Sequence, residues 1–455
     1  MAAVISAALV WAPHSRAETT AQVMPETMTM LHHAIAVKTV AGKGNVPAFA
    51  HYLADKLKSA GFAESDIQII PVGDTAALVA RYRGTGEGKP ILISAHMDVV
   101  AAKADEWKDH APFKLVKRGK HLYGRGVADM KTNVVAIVET MMRLKREGFK
   151  PGHDMILVFS GDEETSMAST AMLAKKFHDA EFLLNGDAGG GVLSPQGKPV
   201  IFEVQAAEKS YADFTLTTHA PGGHSSEPNP DNAINRLAMA LTRVADYQFP
   251  VRHSEITLAS FKANGEHNGG PLAKAMRQFA ANPDDAKAAA KLSSDPAYVG
   301  QIRTTCIATM LESGHALNAL PETATANINC RIFPGVSVAH VKTTLKKVID
   351  DPRVKITLPD PSEAAPPSPL RADVMNAVKA AVHARYPDVT VVPGMSSGAT
   401  DSKHFRLAGV PSYGVNPIFS KAGAAHAHGR GEKILASEVP AALTYWHTLL
   451  MQLAK

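Results

Sequence analysis

The stretch MILVFSGDEETS, Met155 to Ser166, decides how the chain is built. Its first five residues carry no polar side chain, and a short apolar run of this kind reads as a strand buried in a sheet. Directly after Ser160 and Gly161 come three adjacent acids, Asp162, Glu163 and Glu164. Packed carboxylates repel, and unpaired ones are costly to bury. A solvated loop would accommodate one such triplet. The rest of the sequence decides whether this is a loop of that sort.

Three further runs read as buried strands: ILIS from Ile91, EFLLN from Glu181 and VTVVP from Val389. Helical spacing of apolar residues lies between them, over Asn133 to Lys145 and over Asn45 to Phe62, where Gly61 supplies the stop. Strands alternating with helices predict an α/β sheet with both faces covered. The middle of the chain differs. YADFTLTTH from Tyr211 and TANINCRIF from Thr325 alternate as half-exposed antiparallel strands do. A helix is expected from about Asp231 to Ala245, and more helix over residues 271–297. The fold class is therefore α/β, with an inserted α+β domain from Ala207 to Arg331. The α/β domain is then assembled from residues 18–206 and 332–455. GTGEGK from Gly84 reads as a hairpin turn and not a phosphate loop, because no Ser or Thr follows Lys89 and a strand comes next.

The 455 residues are 45% apolar, enough for a full core, and the net charge is +5 with both signs mixed throughout. No long basic run is present, so nucleic-acid binding has no compositional support. Residues 1–17 are almost wholly apolar up to Ala12, and Ser15 and Ala17 fit a signal-peptidase site. The stretch is too short to span a bilayer. A signal peptide over 1–17 is expected, no later segment reads as membrane-spanning, and the protein is expected to be exported, periplasmic or secreted. Two cysteines, Cys306 and Cys330, fall in two runs of β character. A disulfide and two buried thiols both remain open.

Acids or histidines recur where the expected strands end. ILISAHMDVV closes with His96 and Asp98, whose side chains share a side of an extended segment, so that Asp98 can accept a hydrogen bond from His96. GRGVADMK places Asp129 after a Gly-rich turn. Glu163 and Glu164 point apart on extended backbone, so one can bind a metal while the other faces water. LLNGDAGGG ends in Asp187, and AHAHGRGEK offers His426 and His428. Ligands of open α/β sheets gather at the carboxyl edge of the strands. Five such places, all carboxylate or imidazole, suit Zn²⁺ in a catalytic role, with Mn²⁺ or Co²⁺ as alternatives.

As a set, SAHMDVV, GRGVADMK, SGDEE, GGHSS, NALPETATANINCRIFPG, SGATDSKHFR and HGRGE resemble the M20 metallopeptidases, in order over roughly residues 30–450. EWKDHAPF adds a likeness to the carboxypeptidase S and aminoacylase branch. The resemblance implies a zinc-peptidase-like α/β/α catalytic domain whose inserted domain serves as lid and dimerisation unit. It implies two Zn²⁺, one held by His96, Asp129 and Asp187 and the other by Asp129, Glu164 and His428. Glu163 would be the general base and Asp98 would orient His96. His224 would be an oxyanion donor, reaching the partner's site in dimeric relatives. Arg331 and Asn318 would bind a substrate carboxylate, and Gly398 to Asp401 would line the pocket. A cis peptide is expected at Asp129–Met130. The implied substrates are dipeptides, short peptides or N-acyl amino acids, and the implied assembly is a homodimer.

Two rivals remain. GMSSG, Gly394 to Gly398, fits a nucleophile elbow for a serine hydrolase using Ser396, with Asp401 and His426 following in triad order. A binding protein with the same fold but no turnover is the other; the complete set of ligand positions and the base argue against it.

Overall fold

The computed structural model describes residues 18–107, 110–359, 363–421 and 426–455. The signal peptide expected over 1–17 lies outside them. Among the described residues no helix is long and apolar enough to cross a membrane.

A ten-stranded mixed sheet forms the first unit. It contains β1 (Ile67–Val72), β2 (Thr75–Tyr82), β3 (Ile91–His96), β4 (Met155–Ser160), β5 (Phe182–Asn185), β6 (Gly190–Leu193) and β7 (Pro199–Glu208). The order is β1-β2-β4-β3-β5, then Ser412–Gly414, β7, β6 and Phe419–Ser420, with Thr390–Ser396 pairing parallel to β7. The alternation of the strands explains their burial on both faces. Leu78, Ile93, Leu157 and Leu184 pack into one core with Leu31 of α1 (Thr20–Ala36), Phe49 of α2 (Val46–Ser59) and Val138 of α3 (Lys131–Arg146). Their neighbours Val79, Leu92, Ile156 and Leu183 pack into a second core with Leu173 and Phe177 at α4 (Ala168–Lys176). Helix α2 stops where expected: Gly61 takes φ +94°, a conformation that glycine adopts without strain.

The GTGEGK segment is not a hairpin turn. Strands β2 and β3 flank β4 and do not pair with each other. The segment instead crosses the end of β4, with Thr85 N–H donating to Pro151 O and Gly86 N–H to Gly152 O. A Cβ at Gly84 would lie 2.5 Å from the His153 carbonyl carbon, so close backbone approach explains that glycine.

The second unit is a four-stranded antiparallel sheet containing β8 (Ser210–His219), β9 (Thr305–Ser313) and β10 (Thr323–Ile332). Helix α5 (Ala233–Asp246) covers it, capped by the Asn232 side chain accepting from Ile234 and Asn235 N–H. Cys306 and Cys330 face each other across β9 and β10 and form a disulfide. The fourth strand is Lys355–Thr357, paired with β8. The second sheet therefore runs past Arg331, the boundary expected from the sequence. A helical hairpin, Glu255–His267 and Gly270–Ala281, leans on the Thr390–Ser396 strand of the first sheet.

Candidate metal centre

The parallel core of the sheet lines up the carboxyl ends of β3, β4 and β5. His96 is opposite Ser160, and Ser94 is opposite Asn185. The His96 side chain, the Gly161–Glu164 turn and Asp187 thus emerge side by side. Asp129 arrives from the loop before α3, and the expected cis bond lies between it and Met130.

Asp129 joins two groups of donors. Its Oδ1 is 3.0 Å from His96 Nε2, and its Oδ2 is 3.0 Å from His428 Nε2. His96 Nε2 is also 3.6 Å from Asp187 Oδ1, and His428 Nε2 is 3.0 Å from Glu164 Oε2. Donor atoms of His96, Asp129 and Asp187 lie within 4.8 Å of one another, as do those of Asp129, Glu164 and His428. The alternative histidine, His426, is in neither group. The donor set is imidazole and carboxylate without thiolate, one residue bridging, three donors to each side. That set fits two borderline or hard divalent cations with open positions.

The electrostatics point the same way. Burial raises Asp187, and burial above all, with nearby carboxylates adding to it, pushes Glu163 up to about 10. Hydrogen bonds to Asp129 and Glu164 push His428 up to about 10. Burial lowers the His96 pKa, but the neighbouring carboxylates of Asp129, Asp187 and Asp98 outweigh that and hold it well above the usual value. The cluster calls for positive charge, and its own imidazoles hold protons to meet that need.

The three acids after β4 divide the work. Asp162 accepts from Ser166 Oγ and from Ala168 and Ser169 N–H, closing the turn into α4. Glu163 and Glu164 face the cleft. Asp98 does not act quite as expected. The His96 Nδ1 partner is the Asp98 backbone oxygen at 3.1 Å, with the carboxylate 3.5 Å away. The carboxylate instead accepts the backbone N–H groups of Glu163 and Glu164, at 3.2 and 3.0 Å. Because those donors belong to a turn after another strand, no local pattern could place them.

Arg125 and Glu432 escaped the sequence reading, although both lie in motifs singled out there. Buried Glu432 accepts from Gly126, Ala128 and Asp129 N–H, at 3.0, 2.8 and 3.0 Å, and from Arg125. The Arg125 guanidinium also donates to the carbonyls of His428 and Gly429. This buried pair ties the Asp129 loop to the His428 loop.

Other expected residues lie elsewhere. His224 is exposed in the second unit, in a two-residue ladder with Ala319, and Ser225 N–H donates to Asn318 O. His224 and Asn318 are therefore neighbours, but neither lines the 380 Å³ cleft that holds Asp129, Glu163 and His428. Arg331 faces an adjoining, largely apolar hollow of about 560 Å³, with its guanidinium 4.7 Å above the Tyr211 ring. Ser397 lines that hollow and Ser396 the cleft, so the two adjoin. Gly398 is exposed and does not line the cleft, although Ala399 and Thr400 do; its N–H donates to Ser396 Oγ. Asp401 does not line the cleft: it is buried, accepting from Ser160 and Thr170. That placement removes the triad reading, since among the described residues no hydrogen bond joins Ser396, Asp401 and His426.

The model of peptidase family M20/M25/M40 matches residues 92–452. The probable carboxypeptidase S-like 2 of Dictyostelium discoideum is 31% identical over 344 residues, 72% of this chain and 65% of that protein. The mouse N-fatty-acyl-amino acid synthase/hydrolase PM20D1 is 27% identical over 374 residues, 76% of this chain and 70% of that one. This chain thus spans just under two thirds of the Dictyostelium protein. Among solved structures, an M20 family metallo-carboxypeptidase from Sulfolobus solfataricus superposes with a TM-score of 0.72 at 17% identity, over 94% of this chain and 99% of that one. A dinuclear metal-binding M20 peptidase of Bacillus subtilis gives 0.61 at 13%, over 95% and 99%.

Proposed function

This chain belongs to peptidase family M20/M25/M40, and on that premise we propose a two-metal hydrolase. It cleaves the amide bond of dipeptides, short peptides or N-acyl amino acids that carry a free carboxylate. The observation that carries this reading is Asp129, shared between two three-donor clusters with Glu163 beside them. Zn²⁺ is the proposed ion, with Co²⁺ or Mn²⁺ as substitutes; His96, Asp129 and Asp187 would hold one and Asp129, Glu164 and His428 the other. Two such cations would supply Lewis-acid activation of water and of the scissile carbonyl, and their charge would favour the ionised form of Glu163. Glu163, its backbone N–H fixed by Asp98, takes the proton from the attacking water and returns it to the leaving nitrogen. Arg331, with Asn318, is proposed to bind the substrate carboxylate, for which a guanidinium fork is suited.

We propose a homodimer through the second unit. Strand β9 is an edge of its sheet and presents Ile307, Met310 and Leu311 at 66, 72 and 63% exposure. An edge strand carrying such an apolar row is a pairing surface. His224 is exposed and outside the cleft lining of its own chain, and it is proposed as the oxyanion donor for the partner's site. Export is proposed too, and the Cys306–Cys330 bridge suits an oxidising compartment.

Elemental analysis with turnover on a panel of dipeptides and N-acyl amino acids tests the core of this. The expected result is two equivalents of zinc per chain and hydrolysis that a chelator abolishes and zinc restores. Glu163→Gln should retain both ions and lose at least about a hundredfold in kcat. Hydrolysis that survives complete metal removal would overturn the proposal.

A further inference from the structure

One carboxylate in the cleft has no task in that mechanism. Glu203, on β7, lines the same hollow as Glu163, Asp187 and His428. The buried acids Glu208 and Asp401 beside it have partners. Glu208 is held by Gln205, Thr400 and Arg406, and Asp401 by Ser160 and Thr170. The Glu203 carboxylate has neither hydrogen bond nor ion pair among the described residues, and burial alone pushes it up to about 7. Such a group costs stability, which a structural role would not explain.

Its placement is built in. Glu203 is opposite Val392 in the ladder, yet its Cδ lies over Gly394, two residues nearer the carboxyl edge. The side chain therefore leans toward the cleft. A Cβ at Gly394 would come within 1.9 Å of that Cδ, and Gly394 has no positive φ to explain it. The glycine makes room for the carboxylate. Charge decides what Glu203 can receive. Asp129, Glu163, Glu164 and Asp187 carry four negative charges when ionised, which two divalent cations offset. Glu203, when ionised, adds a further negative charge on the wall that they do not offset. It would repel the substrate carboxylate, whose proposed place is beside Arg331.

We propose that Glu203 determines specificity by receiving a cationic group, an ammonium or guanidinium, on the acyl side of the scissile amide. This rests on the hydrolase reading above and narrows it: the favoured substrates are cationic, an N-terminal amine or a basic side chain supplying the charge. Long-chain N-acyl amino acids lack that group and are disfavoured.

The zinc-loaded protein and its Glu203→Gln and Glu203→Leu variants are assayed on alanyl-leucine, N-acetyl-alanyl-leucine, N-acetyl-lysyl-leucine and N-dodecanoyl-leucine. Wild type should prefer a cationic substrate by at least about tenfold in kcat/KM. Glu203→Gln should remove that preference, mainly through KM for the cationic substrates. Alanyl-leucine assigns the site to an α-ammonium, and N-acetyl-lysyl-leucine to a basic side chain. A wild-type preference unaltered in both variants overturns the proposal. If nothing is hydrolysed, the hydrolase reading falls and calorimetry decides the Glu203 proposal. Tighter binding of a free-amine alanyl-leucine phosphinic isostere than of its N-acetyl form, lost in Glu203→Gln, supports it. Equal affinities, or no binding of either, overturn it.

Discussion

Fully buried Glu432 receives three backbone N–H groups and the guanidinium of buried Arg125. A buried charge pair of this kind is expensive to break on one side, since the survivor stays buried. Glu432→Ala is expected to cost about 3–5 kcal/mol in denaturant unfolding. It should also weaken zinc binding by about 10–100-fold, because the Asp129 and His428 loops are no longer tied together. Replacing both partners, Arg125→Met with Glu432→Leu, separates the two effects: the part of the loss due to the stranded guanidinium should be recovered, the part due to the three unpaired N–H groups should persist, and zinc affinity should not return. If affinity returned as well, Glu432 would be a packing residue only. Neither residue could be assigned from sequence. HGRGE marks Glu432 as part of a motif, but its partners are amides far away in the chain, and an amide leaves no trace in residue type. The clustered donors were legible for the opposite reason. Carboxylate and imidazole at strand ends are unusual by residue type alone, and a parallel sheet brings strand ends together. Asp98 lies between: its proximity to His96 follows from the two-residue repeat of a strand, whereas its bonds to Glu163 and Glu164 depend on tertiary placement.

At the scale of elements, apolar runs and helical spacing located the strands and helices because those periods are local. Adjacency is not local. The Gly84–Lys89 segment carries turn chemistry, but the strands it joins are separated by β4, which arrives only after α3. The end of the second unit was hidden likewise, because Lys355–Thr357 is a three-residue strand with too little pattern to read. The disulfide was undecidable from spacing and became clear once β9 and β10 set Cys306 opposite Cys330. Their sequence separation is 24. In the chain-entropy account a loop of that size stabilises by about 3 kcal/mol. The Cys306→Ser, Cys330→Ser double variant should therefore melt lower in calorimetry under oxidising conditions. Addition of a reductant should bring wild type to the same temperature. An unchanged melting temperature would mean that the bridge constrains nothing the sheet does not already hold.

The whole molecule poses a question of reach. The cluster of metal-donor side chains belongs to the first unit, while His224, Asn318 and Arg331 belong to the second. Within one chain, Arg331 faces a hollow adjoining the cleft, and His224 stands exposed away from it. If a second copy pairs along β9, each site would be finished by the other chain, and dissociation would disable both. A charge on that edge, Met310→Glu, should shift the protein to a monomer in analytical ultracentrifugation and lower kcat with the metals retained. Complementation reads the geometry directly. His224→Ala and Glu163→Gln are each expected to be nearly inactive. Mixed, dissociated and reassociated in equal amounts, they form heterodimers in which one site has both an intact Glu163 and the partner's intact His224. Random pairing should then restore about a quarter of wild-type turnover. If His224 acts within its own chain, each heterodimer site carries one lesion and the mixture stays inactive, which would remove the trans assignment while leaving the metal centre as described.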